Sequence, residues 1–217
     1  NILILISSYI FYGWWDWRFL SLIFLSTLID YTIGILLDKD NNNLKRKVLL
    51  LCSIIFNLGA LLFFKYFNFF IESWIELFKN FGYEITSVWT LNVILPVGIS
   101  FYTFQTLSYT VDVYRKKLKS TKDFISFASF VSFFPQLVAG PIERASSLLP
   151  QILKIRKFSY KQAVQGLKLI LWGMFKKVVI ADSLAPIVDE IFTNYSSFGG
   201  GTLWLGGIYF AFQIYCD

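Results

Sequence analysis

Long apolar runs, separated by short polar loops, are the dominant pattern along this chain. The first run, 2–12, is shorter than the roughly 20 residues that a helix needs to cross a bilayer. Five further runs are interpreted as spanning helices: 19–37, 48–64, 91–114, 162–181 and 202–216, the last of which is the start of a span. The pattern therefore predicts an all-α, polytopic transmembrane protein.

Two segments depart from simple spanning helices. In 65–80, aromatic and aliphatic residues alternate with lysine, asparagine and glutamate, which is typical of an amphipathic helix lying at the membrane interface. In 124–150, Pro135, Gly140 and Pro141 interrupt an apolar stretch. Since these residues cannot continue a regular helix at membrane depth, we predict a re-entrant or broken segment here.

The composition agrees with a membrane protein. Hydrophobic residues make up 56% of the chain and charged residues 16%, whereas soluble domains carry about 25% charged residues. The net charge is +6, but the basic residues lie in loops. They therefore indicate membrane topology, and nucleic acid is not expected as a partner.

The loop charges predict an orientation. The loops 38–47, 115–122 and 154–161 hold 13 of the 20 lysines and arginines, whereas 13–18, 66–90 and 182–201 hold only two. The positive-inside rule assigns the first three loops to the cytoplasm and the last three to the outside. The segment 124–150 then enters and leaves the membrane on the cytoplasmic side.

The chain begins and ends within apolar runs. We therefore expect one membrane domain over 1–217 that is incomplete at both ends, in a multi-pass protein of the bacterial cytoplasmic membrane. The two cysteines do not have the spacing of a disulfide framework or a zinc site, and histidine is absent. Neither a metal site nor a bound cofactor is expected.

One helix carries a stripe of polar side chains. Gln105, Tyr109 and Asp112 are spaced i, i+4 and i+7, which places them on one helical face. A carboxylate within a membrane helix is a candidate functional group. The alternative is structural: hydrogen bonds between helices, and an ion pair of Asp112 with Arg115 or Lys116.

Two further polar sets lie at membrane depth or at its edge and are also candidate functional groups. Gln136, Glu143 and Arg144 surround the proline breaks, and could equally form a cap and a salt bridge that hold that loop. Lys176 and Lys177 lie deep in a spanning run, so each needs a partner, for which Asp182 or an anionic substrate is available.

Motifs of soluble enzymes are absent: the sequence contains neither a P-loop nor a Gly-x-Ser-x-Gly elbow nor a cluster of metal ligands. Composition and spacing thus describe a membrane protein with an inward polar face. A transporter or a polymer-export component fits that description as well as a membrane enzyme does.

Five stretches carry a resemblance to a known family. They are YIFYGWW (9–15), FFKYFNFF (63–70), PVGISFYTFQTLSYTVDVYR (96–115), FFPQLVAGPIER (133–144) and GLKLILWGMFKKVVIAD (166–182). In order and spacing they resemble the membrane-bound O-acyltransferases, especially the alginate O-acetyltransferase subgroup. The resemblance extends over essentially the whole chain.

This resemblance implies a ring of helices around a central tunnel. It further implies an acyl thioester donor, such as acetyl-CoA, on the cytoplasmic side, and an extracytoplasmic polymer, acceptor protein or partner acetylase on the other. The family's catalytic histidine lies downstream of a Tyr-x-Asp motif that Tyr215, Cys216 and Asp217 resemble, so it is expected beyond Asp217. Gln136 departs from relatives that carry histidine there.

Overall fold

The computed structural model describes residues 1–81, 95–137 and 140–217, and this part of the chain is helical without a strand. It forms two compact units, Asn1–Ile155 and Arg156–Asp217. The described residues of the first unit form eight α-helices: α1 (Ile2–Asp16), α2 (Leu20–Lys39), α3 (Asn43–Leu61), α4 (Phe67–Asn80), α5 (Ile99–Tyr114), α6 (Phe124–Val131), α7 (Phe134–Leu137) and α8 (Ala145–Leu153). The prediction of an all-α fold is confirmed for these residues.

Two helical runs, Ile2–Lys39 and Asn43–Asn80, are long and apolar enough to cross a membrane. The first run bends at Asp16, whose backbone is extended and whose carboxylate accepts a 2.9 Å hydrogen bond from the amide of Arg18. Asn42 caps the second run by accepting from the amide of Leu44. A polytopic arrangement, by contrast, stays a prediction.

Helix α5 is the centre of the first unit. It packs against α2 and α3 on one side and α6 and α8 on the other. We predicted a helix from residue 91. Residues 82–94 lie outside the described part. Leu95–Gly98 are described and are not helical, so the prediction of a helix is wrong for these four residues. Gly98 has φ +74°, a left-handed conformation suited to glycine, and the helix starts directly after it.

The predicted amphipathic helix over 65–80 corresponds to α4, but α4 is not a separate element. It continues α3 through a π-helical turn, Leu62–Tyr66, which contains Lys65. The exposed face of α4 carries Phe69, Phe70 and Trp74. Its position at the membrane interface stays a prediction.

The segment 124–150 is divided into the short helices α6, α7 and α8, as its proline and glycine residues predict. The carboxylate of Asp123 caps α6 by accepting from the amide of Ser126 at 3.2 Å. Gly140 passes so close to Gln136 that a Cβ there would lie 2.5 Å from the Gln136 Cα. Re-entry into the membrane stays a prediction, and residues 138–139 lie outside the described part.

The second unit is built from α9 (Tyr160–Phe175), α10 (Asp182–Thr193) and α11 (Gly200–Cys216). A π-helical turn, Lys176–Ala181, joins α9 to α10. Helix α11 packs along α10 and this turn. The approach is close because Gly206 faces Ile191, where a Cβ on residue 206 would lie 2.8 Å from the Ile191 Cγ2.

Candidate functional site

Two of the three predicted stripe residues are buried on α5. The Gln105 amide donates to the carbonyl of Phe130 at 2.7 Å, which ties α5 to α6. The hydroxyl oxygen of Tyr109 accepts from the amide of Thr121 at 3.3 Å, and its ring lies 4.5 Å from that of Phe127. Tyr109 thus packs against α6 and holds the loop before α6 in place through Thr121.

Asp112, the third stripe residue, lies half-buried near the end of α5. The anticipated ion pair with Arg115 or Lys116 is not formed: within the described ranges, the Asp112 carboxylate has no cationic partner. Its backbone carbonyl accepts from the amide of Lys117 at 2.9 Å, where the chain leaves the helix.

A buried polar network joins α2, α3 and α5. The carboxylate of Asp30 is inaccessible to solvent and accepts from the Ser53 hydroxyl at 2.5 Å, the Asn57 amide at 2.7 Å and the Thr110 hydroxyl at 3.2 Å. The Ser26 hydroxyl in turn donates to the Asn57 carbonyl oxygen at 2.8 Å. Because every partner is neutral, hydrogen bonds rather than an ion pair hold this carboxylate.

The guanidinium of Arg46 hydrogen-bonds the C-terminal ends of two of these helices, α2 and α5. It donates to the carbonyls of Leu37 and Asp40, where α2 ends, and to those of Val113 and Tyr114, where α5 ends. Its side chain is buried. A cation at the C-terminal ends of two helices is favoured by their dipoles, so Arg46 serves the fold as well as the topology.

The second predicted set is not assembled into one cluster. Gln136 is buried in α7, Glu143 is half-buried and Arg144 is exposed. The expected salt bridge between Glu143 and Arg144 is not among the ion pairs of the described residues. The backbone of Arg144 instead begins α8, with its carbonyl accepting from the amide of Ser147 at 2.9 Å.

The third predicted set has the partners that it needs, all within the second unit. The ammonium of Lys177 lies 3.0 Å from the carboxylate of Asp182, one of the two partners considered for it, and also contacts Asp217. The ammonium of Lys176 lies over the ring of Tyr215, 5.4 Å from its centroid. Both lysines thus hold the end of α11 against the π-helical turn.

Five buried polar atoms lack a hydrogen-bond partner within the described ranges, among them the side-chain carbonyl oxygens of Asn68 and Gln213. The other three are the hydroxyl groups of Tyr12 and Tyr102 and the carbonyl oxygen of Gln105. Their side chains are 3%, 2% and 1% exposed, respectively. Tyr102 and Gln105 lie on one face of α5. Such groups usually find partners in a folded protein, so they are candidate contacts for a ligand.

Reasoning from the sequence singled out Gln105 but missed Tyr12 and the network around Asp30. A signal for the network was present. Ser53 and Asn57 are four residues apart in an apolar run, as are Thr106 and Thr110. Polar residues at that spacing share a helical face and meet partners on neighbouring helices. Tyr12, by contrast, resembles any interfacial tyrosine in the sequence.

Comparison with known proteins finds relatives along the whole chain. A probable alginate O-acetylase of Azotobacter vinelandii is 37% identical over 218 residues, covering 100% of this chain and 43% of that protein. A protein of the same name from Pseudomonas aeruginosa is also 37% identical, with 100% and 41% covered. A peptidoglycan O-acetyltransferase of Helicobacter pylori is 31% identical, with 99% and 44% covered.

The chain thus spans about two fifths of the length of these relatives. No family model matches it, and no solved structure does. The relatives are similar over the same residues that contain the five motifs. The resemblance drawn from those motifs is therefore confirmed: along its whole length, this chain is a homologue of part of the alginate O-acetylases and of a peptidoglycan O-acetyltransferase.

Proposed function

We propose that the protein containing this chain is a membrane O-acetyltransferase that modifies hydroxyl groups of an exported polysaccharide or another cell-envelope polymer. The observation that carries the proposal is the end-to-end similarity to proteins named for O-acetylation of alginate and of peptidoglycan. The two polymers differ, but both are extracytoplasmic polysaccharides. Acetylation of a polymer hydroxyl is the chemistry that the two names share.

The reaction joins a hydroxyl group to an acetyl thioester. A general base removes the proton of the acceptor hydroxyl, whose oxygen attacks the thioester carbonyl. A carbon–oxygen bond forms, the carbon–sulfur bond breaks, and the departing thiolate takes up a proton. Acetyl-CoA or another acyl thioester serves as the donor from the cytoplasmic side. The base is a histidine outside this chain, which itself contains none.

Within that reaction, the described helices shape the tunnel and orient the substrates. Asp112 lies near the end of α5 that precedes the basic loop 115–122, which the loop charges assign to the cytoplasm. Its carboxylate has no cationic partner among the described residues, which suits a place at the donor entrance. The other end of α5, at Gly98, then faces the acceptor side of a multi-pass protein in the bacterial cytoplasmic membrane.

The experiment uses the full-length protein in its own membrane, supplied with a thioester donor that carries a radiolabelled acetyl group. We expect label in the envelope polysaccharide that depends on the gene and is released by mild alkali, as an ester is. If no label reaches any envelope polymer while the protein is present and folded, the proposal is refuted.

A transporter or polymer-export component without acyl transfer is the second candidate, because the buried carboxylate of Asp30 also suits a membrane transport protein. Export of unmodified polymer that depends on the gene would favour it. A further variant of the proposed function has a partner acetylase making the final transfer. In that case the label would accumulate first on the partner protein and only then on the polymer.

A further inference from the structure

A groove of about 860 Å³ lies beside the end of α1 in the first unit. Five aromatic side chains dominate its lining: Phe11, Tyr12, Trp14, Trp15 and Phe134. Helix α1 and the short helix α7 meet there, with the Phe11 and Phe134 rings 5.6 Å apart and the amide of Phe134 donating to the Ser8 hydroxyl at 3.3 Å. The groove is therefore formed by elements that are fastened to one another.

The lining is uncharged. Among the described residues that border the groove, none is lysine, arginine, aspartate or glutamate. The phosphate groups of a nucleotide-linked thioester need cationic or N–H partners in such a setting. The charge complementarity of this groove therefore favours an uncharged, hydroxyl-bearing ligand over the donor.

Tyr12 links the groove to three of the unpartnered polar atoms. Its side chain borders the groove, and its hydroxyl group is one of those atoms. Tyr12 and Tyr102 belong to the same buried cluster, and the Gln105 carbonyl oxygen lies one helical turn further along α5. Together they offer two hydroxyl groups, each able to donate or accept, and one acceptor. Leaving them unpaired costs stability, which a ligand hydroxyl group would recover.

A hexopyranose ring has the matching chemistry. Its C–H face packs on aromatic rings, while its equatorial hydroxyl groups donate and accept hydrogen bonds at its edge. Binding sites of this kind combine apolar and aromatic walls with a few fixed polar groups. Residues 13–18 beside the groove, which form the end of α1 and the turn after it, also belong to a segment that the charge distribution assigns to the outside, where a polysaccharide is exported.

We propose that the groove is the acceptor subsite, in which a sugar unit of the polysaccharide stacks on Trp15 and Phe11 and hydrogen-bonds the Tyr12 hydroxyl. This inference rests on the proposed function, since it names the place where the acceptor of that reaction binds.

The test compares Tyr12→Phe with wild-type full-length protein in lipid nanodiscs. Calorimetry measures binding of two probes, an uncharged N-acetylglucosamine hexasaccharide and a mannuronate hexasaccharide whose carboxylates find no cation in the lining, so the first is expected to bind better. We expect the dissociation constant of the better probe to rise about tenfold, since one hydrogen bond to an uncharged group is lost. Trp15→Leu, at an exposed side chain, should weaken binding similarly, and Tyr195→Phe in the second unit should leave it unchanged.

Thermal unfolding separates this role from a structural one. Removing an unpartnered buried hydroxyl should leave the melting temperature unchanged or raise it, so weaker sugar binding by an equally stable variant supports the subsite. In transfer assays, Tyr12→Phe should raise the KM for the acceptor and leave the KM for the donor unchanged. Unaltered sugar affinity in both Tyr12→Phe and Trp15→Leu would overturn the inference.

The calorimetric experiment does not depend on acetyl transfer. Sugar binding that is lost in Tyr12→Phe, in a protein without transferase activity, would refute the proposed function and keep a sugar site. Transfer activity with a normal KM for the acceptor in both variants would support the proposed function and refute the sugar site in this groove. Brominated lipids test whether the groove binds lipid instead. If they quench Trp15 fluorescence and neither hexasaccharide displaces them, the groove is a lipid site and the inference is overturned. Binding of a hydroxyl-bearing peptide, without binding of either hexasaccharide, would overturn it as well.

Discussion

The guanidinium of Arg46 donates a 2.6 Å hydrogen bond to the backbone carbonyl of Tyr114, and lies 5.5 Å from the centroid of the same residue's ring. This contact joins the first turns of α3 to the last residue of α5. It also places the only cation of the described buried core against helix carbonyls rather than against a carboxylate. The C-terminal end of the central helix is thus fixed by a side chain that sequence patterning treats as a loop charge.

Replacing Arg46 should destabilise the first unit. In Arg46→Met, the carbonyls of Leu37 and Tyr114 lose their donor, and we expect the free energy of unfolding to fall by about 2–3 kcal/mol. Arg46→Lys should recover only part of this, because one ammonium cannot span both helix ends. Thermal unfolding in nanodiscs measures the effect, with the exposed neighbour substitution Lys47→Met as the control. Equal stability of the two methionine variants would contradict the capping role.

Asp30→Asn should also lower stability. Three donors converge on the Asp30 carboxylate, and an amide offers them one acceptor oxygen together with an NH₂ group that meets the amide of Asn57. We expect a loss of about 1–3 kcal/mol in thermal or denaturant unfolding. Asp38→Asn is the matched control, since Asp38 is an exposed residue of the same helix that accepts one hydrogen bond, from Ser120. Similar losses in both variants would rule out a special role for the network.

Gly34 allows α2 to approach the ring of Tyr109. A Cβ at residue 34 would lie 2.5 Å from the Tyr109 Cε1 and 2.6 Å from its hydroxyl oxygen. Gly34→Ala should therefore cost about 1–3 kcal/mol through overpacking. At Gly59, in α3, an added Cβ meets nothing within 4 Å, so Gly59→Ala should instead stabilise by about 0.5–1 kcal/mol. Opposite signs for the two variants in thermal unfolding are the expected outcome.

Asp112→Asn tests the donor entrance. Because the Asp112 carboxylate has no ion pair within the described ranges, its neutralisation should leave insertion and melting temperature unchanged. If Asp112 orders the donor at the tunnel entrance, the KM for the thioester donor should change by about tenfold while the KM for the acceptor stays constant. Steady-state transfer by the full-length protein measures both constants. Normal values for both would assign Asp112 a structural role.

The hydrogen bonds of Asp123 predict that the stability of the start of α6 depends on pH. Hydrogen bonds from Ser126, first its hydroxyl and then its amide, hold the pKa of the Asp123 carboxyl below its ordinary value of 3.8. The charged form is thus favoured by folding, so the stabilisation is present above that value and is lost as the pH falls through the lower pKa of the folded state. The melting temperatures of wild type and Asp123→Asn should differ near neutral pH and converge only as the pH falls from 3.8 through the lower pKa of the folded state. A constant difference would contradict this.

The sequence predicted elements better than it predicted contacts. The central position of α5 follows from its mixed polar and apolar faces, and the broken segment follows from Pro135, Gly140 and Pro141, because these residues act through the local backbone. The roles of Tyr109 and Arg46 could not be read in that way. Each depends on residues far along the chain, Thr121 and Tyr114 respectively, and periodicity carries no information about such pairs.

For the candidate site, the sequence predicted which polar residues are involved, but not which of their atoms have hydrogen-bond partners. For Lys177 the sequence left two partners open, Asp182 and an anionic substrate, and in the structure its ammonium lies 3.0 Å from the Asp182 carboxylate. Gln105 was expected to lie on an inward face, but only the structure shows that its nitrogen is paired and its oxygen is not. Whether a buried polar atom is satisfied depends on the positions of all its neighbours, so it becomes visible only in three dimensions.

The π-helical turn at Lys176–Ala181 determines the direction in which the side chains of α10 point around the helix axis, relative to those of α9. Each residue of an α-helix turns the chain by about 100°, so residues five apart lie about 140° from one another. Hydrogen bonds from i to i+5 change this, and bring Lys177 and Asp182 to one side. Deletion of a single residue between them would restore the ordinary helix, in which residues four apart lie about 40° from one another and still share one side. A homologous chain that lacks one residue here would therefore present the same face of α10 to α11.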